Sequence, residues 1–165
     1  MSETQVRFED NTIQVLGQIS DEINIWLEEA SGELEAQAKR NTPVGKISGG
    51  NTKQNWKHEV DEDKHEAVVG NMLETAIWLE LGTGDYALNG DGRKGGWYIP
   101  IGEGSGMISQ SVVDAYGFKV VYGKNKMKYA YTTGMKPRRI LHNAVESNKG
   151  KIQRSLIQRL KVLGD

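Results

Sequence analysis

The chain has 165 residues, a formal net charge of −1 and no cysteine. This length suits one domain, and the missing cysteines exclude disulfides, thiolate metal sites and cysteine nucleophiles. The balanced charge does not call for a nucleic-acid or membrane partner, and no apolar run reaches the roughly 20 residues that span a bilayer. No charged segment followed by an apolar one opens the chain, so we expect a protein that is not exported.

Residues 1–11 are polar, and we expect this N-terminus to be frayed. Apolar residues then recur at helical spacing from Leu16 to Leu34, which predicts a long amphipathic helix. The pair Thr42-Pro43 ends this helix, because proline disfavours the α conformation of the residue before it. Residues 44–55 are rich in glycine and are predicted to form a loop.

The segments 56–60 and 65–70 predict the two strands of a β-hairpin, with a charged turn between them. Residues 75–81 fit either a buried strand or a short helix, and we favour the helix. A short strand is predicted over 97–100, another over 118–122, and a last strand or short extended piece over 129–131.

The stretch 76–100 is the part of the chain that resembles a loop presented by a rigid scaffold. Its apolar start is followed by Glu80 and then by Gly82-Thr83-Gly84, where two glycines permit positive φ and predict a sharp change of direction. The glycine-rich segments 84–96 and 101–117 are expected to be mobile loops.

Residues 133–137 predict a turn, and Pro137 suits the first turn of a final helix that extends to about Leu160. The segment 149–151 is expected to loosen the middle of this helix. The predicted fold class is α+β: a small antiparallel sheet of about four strands packed with a long N-terminal and a long C-terminal helix, with long glycine-rich loops. Both helices are expected on one face of the sheet.

Charge is distributed unevenly along the chain. Residues 1–35 hold nine acidic residues and one arginine, whereas 119–139 hold seven basic residues and no acid. Two interpretations stay open. These segments are either solvated faces, or they provide electrostatic complementarity between the two helices or between neighbouring copies.

Three motif fragments lack the context that their chemistry requires. The segment 90–95 has dinucleotide-binding glycine spacing, but the strand and helix of a real fingerprint do not flank it. Pro100 occupies the position where a calcium loop that begins at Asn89 would need its glutamate. Neither His58 nor His65 has a second histidine four residues on. We therefore expect no cofactor and no metal.

Glu80 has two interpretations. It could act as a general base, or it could accept hydrogen bonds from the Gly82–Gly84 turn or pair with a basic residue. We favour the second role, because no other catalytic group stands at a recognisable spacing. An enzyme is therefore the least expected class.

The aromatic residues raise one further possibility. Tyrosines at 122, 129 and 131 alternate with lysines, as in proteins that bind single-stranded nucleic acid. They also fit strand alternation, and the acidic first helix would repel a phosphate backbone. Trp26, Trp56 and Trp78 lie within predicted elements and are expected in the core.

The order of several motifs resembles the HK97 gp10-like family of tailed-phage proteins, which prophages also carry. These motifs are Thr42-Pro43-Val44, Asn55-Trp56, Val69-Gly70-Asn71, the segment 76–84, the segment 93–100 and the segment 134–141. The resemblance covers roughly residues 19–160, and its most specific parts are Glu-Leu-Gly-Thr-Gly at 80–84 and the Pro-Arg helix start. The chain departs from the family at 45–50, where an Asp-Thr-Gly-x-Leu run is usual, and in the long insertion 101–117.

The resemblance implies a non-enzymatic structural protein of the virion or prophage particle that completes the tail or neck at the head–tail junction. It implies a ring of identical copies that contacts head-connector proteins and tail-tube or tail-terminator proteins, assembles in the host cytoplasm, and lets DNA pass without specific binding. No membrane is involved. A tail terminator or another phage morphogenesis protein is one alternative, and a small nucleic-acid-binding domain that uses 119–139 is another. The expected assembly interface consists of Glu80, Gly82, Thr83, Gly84, Arg93, Lys94, Lys136, Arg138 and Arg139.

Overall fold

A computed structural model describes residues 12–46, 50–124 and 126–163. The frayed N-terminus predicted for 1–11 lies outside these residues. Within the described part the elements, in chain order, are α1 (Thr12–Asn41), α2 (Asn51–Gln54), β1 (Trp56–Asp61), β2 (Glu66–Asn71), α3 (Glu74–Leu81), a 3-10 turn (Gly84–Tyr86), β3 (Trp97–Pro100), α4 (Gln110–Tyr116), β4 (Lys119–Tyr122), β5 (Lys128–Thr132) and α5 (Ile140–Val162).

The strands form two small antiparallel sheets, which confirms the α+β class. The strands β1 and β2 pair as a hairpin, and β5 lies between β3 and β4 in a three-stranded sheet. The prediction of one sheet of about four strands is wrong. The reason is that β5 pairs on both sides with strands of the second half of the chain, whereas the hairpin packs its inner face on α1.

The helix α1 is the central element, because it packs along α5 and against the hairpin. The core cluster consists of residues from four elements: Ala38, Trp56, Ala76, Ile140 and Ala144. Three of these are alanines, which allow close approach of the backbones but bury little apolar area each. The indole Nε1 of Trp56 donates a hydrogen bond to the Oγ1 atom of Thr42 at 2.7 Å, so this polar atom has a partner in the core.

Ion pairs join α1 to α5. The Lys151 Nζ atom lies 2.6 Å from the Glu33 carboxylate, and the Arg159 guanidinium lies 2.9 Å from Glu22 and 2.6 Å from Glu29. The hydrogen bonds that the Arg159 guanidinium donates to Glu29 and Glu22 raise the pKa of Arg159. These opposite charges of α1 and α5 therefore pair with each other within one chain.

Three predicted segments differ from the structure. The predicted loop 44–55 contains the short helix α2, and the predicted loop 101–117 contains α4. The side chain of Ser109 caps α4 and Gly117 ends it with φ of 67°, so cap chemistry explains a helix inside a glycine- and serine-rich segment. Pro137 does not begin the final helix, which starts at Ile140 and continues through 149–151 without a break.

The three tryptophans differ in burial. Trp56 is buried, and Trp26 is half-buried where its indole donates to the Ile152 carbonyl and to Ser155 Oγ on α5. The expectation that Trp78 lies in the core is wrong, because its side chain is 45% exposed on α3. Among the described helices, none combines the length and apolar character that crossing a bilayer requires.

Candidate assembly surface

The segment Gly82-Thr83-Gly84 meets the segment 133–137 in what we call the glycine crossing. The Thr83 amide donates to the Met135 carbonyl, and the Met135 amide donates back to Thr83 Oγ1, both at 2.9 Å. The Asp85 amide donates to the Thr133 carbonyl at 2.9 Å. These bonds hold the end of α3 against the segment that leads into α5.

Glycine is required at this crossing. Gly84 has φ of 63°, and a Cβ atom there would lie 2.2 Å from the Thr133 carbonyl oxygen. A Cβ atom on Gly134 would lie 2.1 Å from the Thr83 carbonyl oxygen. The predicted sharp change of direction at Gly82 and Gly84 is confirmed, since both have positive φ.

Glu80 caps the final helix. Its carboxylate oxygens accept hydrogen bonds from the Leu141 amide at 2.8 Å and from the His142 amide at 3.0 Å. These amides belong to the first turn of α5, where backbone donors have no partner within the helix and a negative charge is favourable. Glu80 accepts hydrogen bonds as expected, but the expected donors are wrong, because the amides belong to α5 and not to the Gly82–Gly84 turn.

Arg139 precedes α5 in the left-handed conformation, with φ of 51°, and its side chain does not cap the helix. The Arg138 amide donates to the Leu79 carbonyl at 2.7 Å. The end of α3 therefore fixes both the entry and the first turn of α5. No local pattern around Glu80 signals this role, because its partners lie about sixty residues further along the chain.

The nine expected interface residues fall into two groups. The first group contacts other parts of the same chain and consists of Glu80, Gly82, Thr83 and Gly84. The other five are exposed cations: Arg93, Lys94, Lys136, Arg138 and Arg139. Arg93 lies over the Trp97 ring and Lys136 over the Tyr86 ring, each 5.7 Å from the ring centroid.

One face of the three-stranded sheet is buried at its centre, and the other face is open. Its register places Ala130 with Ile99 and Val120 on the buried face, and Ala130 is fully buried. The opposite face carries the residues that we call the tyrosine face: Tyr98, Lys119, Val121, Tyr129 and Tyr131. An open cleft of about 240 Å³ on this face is lined by Tyr98, Val121, Gly123 and Tyr129.

His58 joins the hairpin to α1. Its Nδ1 atom lies 2.5 Å from Glu35 and its Nε2 atom 3.1 Å from Glu28, and these hydrogen bonds raise the pKa of His58. Glu35 also binds Lys39, and together Lys39 and His58 lower the Glu35 pKa to about 2. From the sequence, His58 is considered only as part of a metal motif that lacks its second histidine, and its two glutamate partners are not predicted. The seven-residue spacing of the two glutamates, which places them on one helical face, was the available signal.

The described part of the chain contains a further cleft but no cluster of metal ligands. No group of three or more histidine, aspartate or glutamate side chains in this part of the chain could hold a metal ion. The cleft between the end of α1, α2, α3 and the 133–138 segment has a volume of about 370 Å³. Its titratable lining residues are Lys46, Tyr116 and Arg138, so no acid of the described chain lines this cleft.

Comparison with known proteins finds a family similarity in the first half of the chain. Residues 7–82, just under half of the chain, match the family model HK97-gp10_like, described as "Bacteriophage HK97-gp10, putative tail-component". This match confirms the family resemblance over α1, α2, the hairpin, α3 and Gly82, and it ends before the segments 93–100 and 134–141. No match was found among the curated proteins or among the solved structures.

Proposed function

We propose that this chain, whose residues 7–82 match a family of phage tail components, is a structural protein that completes the tail or neck at the head–tail junction by ring-like assembly of identical copies. The family match is the observation that carries the proposal. It supports a phage tail-related structural protein directly, whereas the ring and the junction are our inference.

Exposed apolar side chains support a role in assembly. Val68 is 68% exposed, Met72 90%, Ile77 57% and Tyr98 59%, while the core cluster is small. Val68 and Met72 line the same cleft, and contiguous exposed apolar side chains mark surfaces that bind other proteins, because leaving them in water gives up hydrophobic stabilisation. A chain that completes its burial only within a particle would have this character.

The test is made on the particle. The gene is deleted from the phage or prophage, and the lysate is examined by electron microscopy and for infectious units. The proposal predicts filled heads and separate or malformed tails, with joining restored when the protein is supplied from a plasmid. Normal joined particles without the protein would refute it.

Two alternatives stay open. A tail terminator or another morphogenesis protein would co-purify with isolated tails rather than with filled heads. A nucleic-acid-binding domain is favoured by one observation: the lysines of 119–128 form no ion pair with any described residue and lie beside the exposed tyrosines. A filter-binding assay whose signal falls steeply with salt would support this alternative, and absent binding would remove it.

A further inference from the structure

We propose that copies of this chain contact each other head to tail, with the outer face of the β1–β2 hairpin of one copy seated on the tyrosine face of the next. This inference rests on the self-assembly proposed above and names the two surfaces that form the contact. The partner of each surface is therefore a second copy of this chain.

The tyrosine face supplies an apolar centre with a basic rim. The cleft of about 240 Å³ is bounded by Tyr98, Val121 and Tyr129, and the Tyr98 and Tyr131 rings lie 5.2 Å apart. Lys119 lies on this face, and further lysines follow in the turn between β4 and β5. Because 119–139 contain no acid, the positive charge of this rim is not balanced by the segment itself.

The outer face of the hairpin has the opposite charge around another apolar centre. The inner face, which carries Trp56 and His58, packs against α1, so the register places Glu59 and Val68 on the outer face. Val68 is 68% exposed and Met72, just after β2, is 90% exposed. Methionine has a flexible thioether side chain that adapts to irregular clefts and makes favourable contacts with aromatic rings.

The hairpin rim is acidic, since residues 57–66 contain five acids and two lysines. One of these acids, Asp61, forms an ion pair with Lys64 at 2.5 Å. The other four acids form no ion pair with any described residue: Glu59, Glu62, Asp63 and Glu66. The acids of α1 differ, because Glu22, Glu29 and Glu33 already bind α5.

The charges therefore identify the partner. One chain carries a basic surface and an acidic surface that form no ion pairs with the described residues apart from Asp61–Lys64, each around exposed apolar side chains. Opposite potentials across an interface set the register and exclude wrong pairings. The two surfaces are different, so the contact is heterologous: successive copies add in one direction and either close as a ring or continue as a filament.

The test reverses the charge of each surface separately. One variant carries Lys119→Glu, Lys124→Glu and Lys126→Glu, and the other carries Glu59→Lys, Glu62→Lys and Glu66→Lys. All six side chains are exposed, and none forms an ion pair with a described residue. Circular dichroism and thermal unfolding of the variants should therefore match the wild type. Each variant alone has two surfaces of equal sign, and we expect its self-association to weaken about a hundredfold in sedimentation velocity at low salt.

The equimolar mixture of the two variants gives the decisive result. Each chain then presents one original and one reversed surface, so alternating copies are complementary again and association should return to near the wild-type level. The contact is refuted if the wild type stays monomeric at all concentrations, if either variant associates like the wild type, or if the mixture stays dissociated while both variants are folded. It is also refuted if the lysine reversal removes oligonucleotide binding and leaves self-association unchanged.

The apolar centre is tested with Met72→Glu. We expect at least a tenfold loss of self-association, because the charged side chain would have to enter the apolar cleft. Ile13→Glu is the matched control, since Ile13 is 88% exposed but lies on α1 outside both surfaces. Equal effects of the two substitutions would overturn this part of the proposal.

The two proposals fail separately. If antibody labelling places the chain in the particle but the charge-reversed pair does not restore association, the contact is wrong and the structural role stands. If the pair restores association but particles join normally without the protein, the role at the junction is wrong and the contact stands.

Discussion

Replacing Glu80 tests how α3 controls the start of α5. In Glu80→Ala, the amides of Leu141 and His142 lose their acceptor. The carboxylate charge that lies beside the N-terminus of α5 is lost as well. Hydrogen bonds to a charged group contribute about 1.5–3 kcal/mol each, and loss of a helix cap costs about 0.5–2 kcal/mol. Because Glu80 is half-buried and water can replace part of these bonds, we expect a loss of about 2–3 kcal/mol in the free energy of unfolding.

The assay is urea denaturation together with calorimetry. For a domain of this size the expected loss corresponds to a fall in Tm of about 5–10 °C. Glu80→Gln should lose about half as much, since its amide keeps one neutral acceptor oxygen. Glu103→Ala is the control, because Glu103 is an exposed loop glutamate and should change the stability by less than about 0.5 kcal/mol. The capping role is refuted if Glu80→Ala is as stable as this control.

Three other substitutions probe the glycine crossing, the hairpin and the core. Gly84→Ala should lower the free energy of unfolding by about 3 kcal/mol or more in urea denaturation, because the added Cβ atom meets backbone and φ is positive. The control is Gly17→Ala, in open space on α1, which should raise the free energy of unfolding by about 0.5–1 kcal/mol. His58 has a folded-state pKa raised above 6.5, so its stabilisation is complete below that value and is lost as pH rises through the folded pKa. The difference in unfolding free energy between the wild type and His58→Gln should therefore be larger at about pH 5.5 than at about pH 9. Trp56→Phe should cost about 1–2 kcal/mol, because the buried Thr42 hydroxyl loses its donor.

Each of these has a contradicting result. A folded Gly84→Ala protein with wild-type stability would mean that the glycine crossing does not hold α3 against the 133–137 segment. A pH-independent difference for His58→Gln would show that the ion pairs of His58 with α1 do not stabilise the fold. An unchanged stability of Trp56→Phe would show that the hydrogen bond from Trp56 to Thr42 does not stabilise the fold.

The helices could be predicted because their signal is local. The spacing of apolar residues in α1 and α5 is repeated over many turns, and Thr42-Pro43 marks the end of α1. The short helix α4 was missed although Ser109 and Gly117 are regular cap residues, because the glycines before it dominated the interpretation. The signal that predicts this helix is the pair of cap residues, Ser109 before it and Gly117 after it.

The sheets and the candidate surface depend on contacts that are distant in sequence. Nothing near β5 indicates that it pairs with β3 as well as with β4, so two sheets could not be distinguished from one. The glycines at 82 and 84 were correctly associated with a turn, but their partner segment 133–137 lies about fifty residues away. The charge asymmetry was visible in the sequence, whereas the structure was needed to separate the acids that bind α5 from those that pair with no described residue.

The most direct test of the account is to locate the chain in purified particles with a gold-labelled antibody under the electron microscope. The account predicts label at one place in each particle, between the head and the tail. Label spread along the tail tube, or purified infectious particles that contain no trace of the chain, would contradict it.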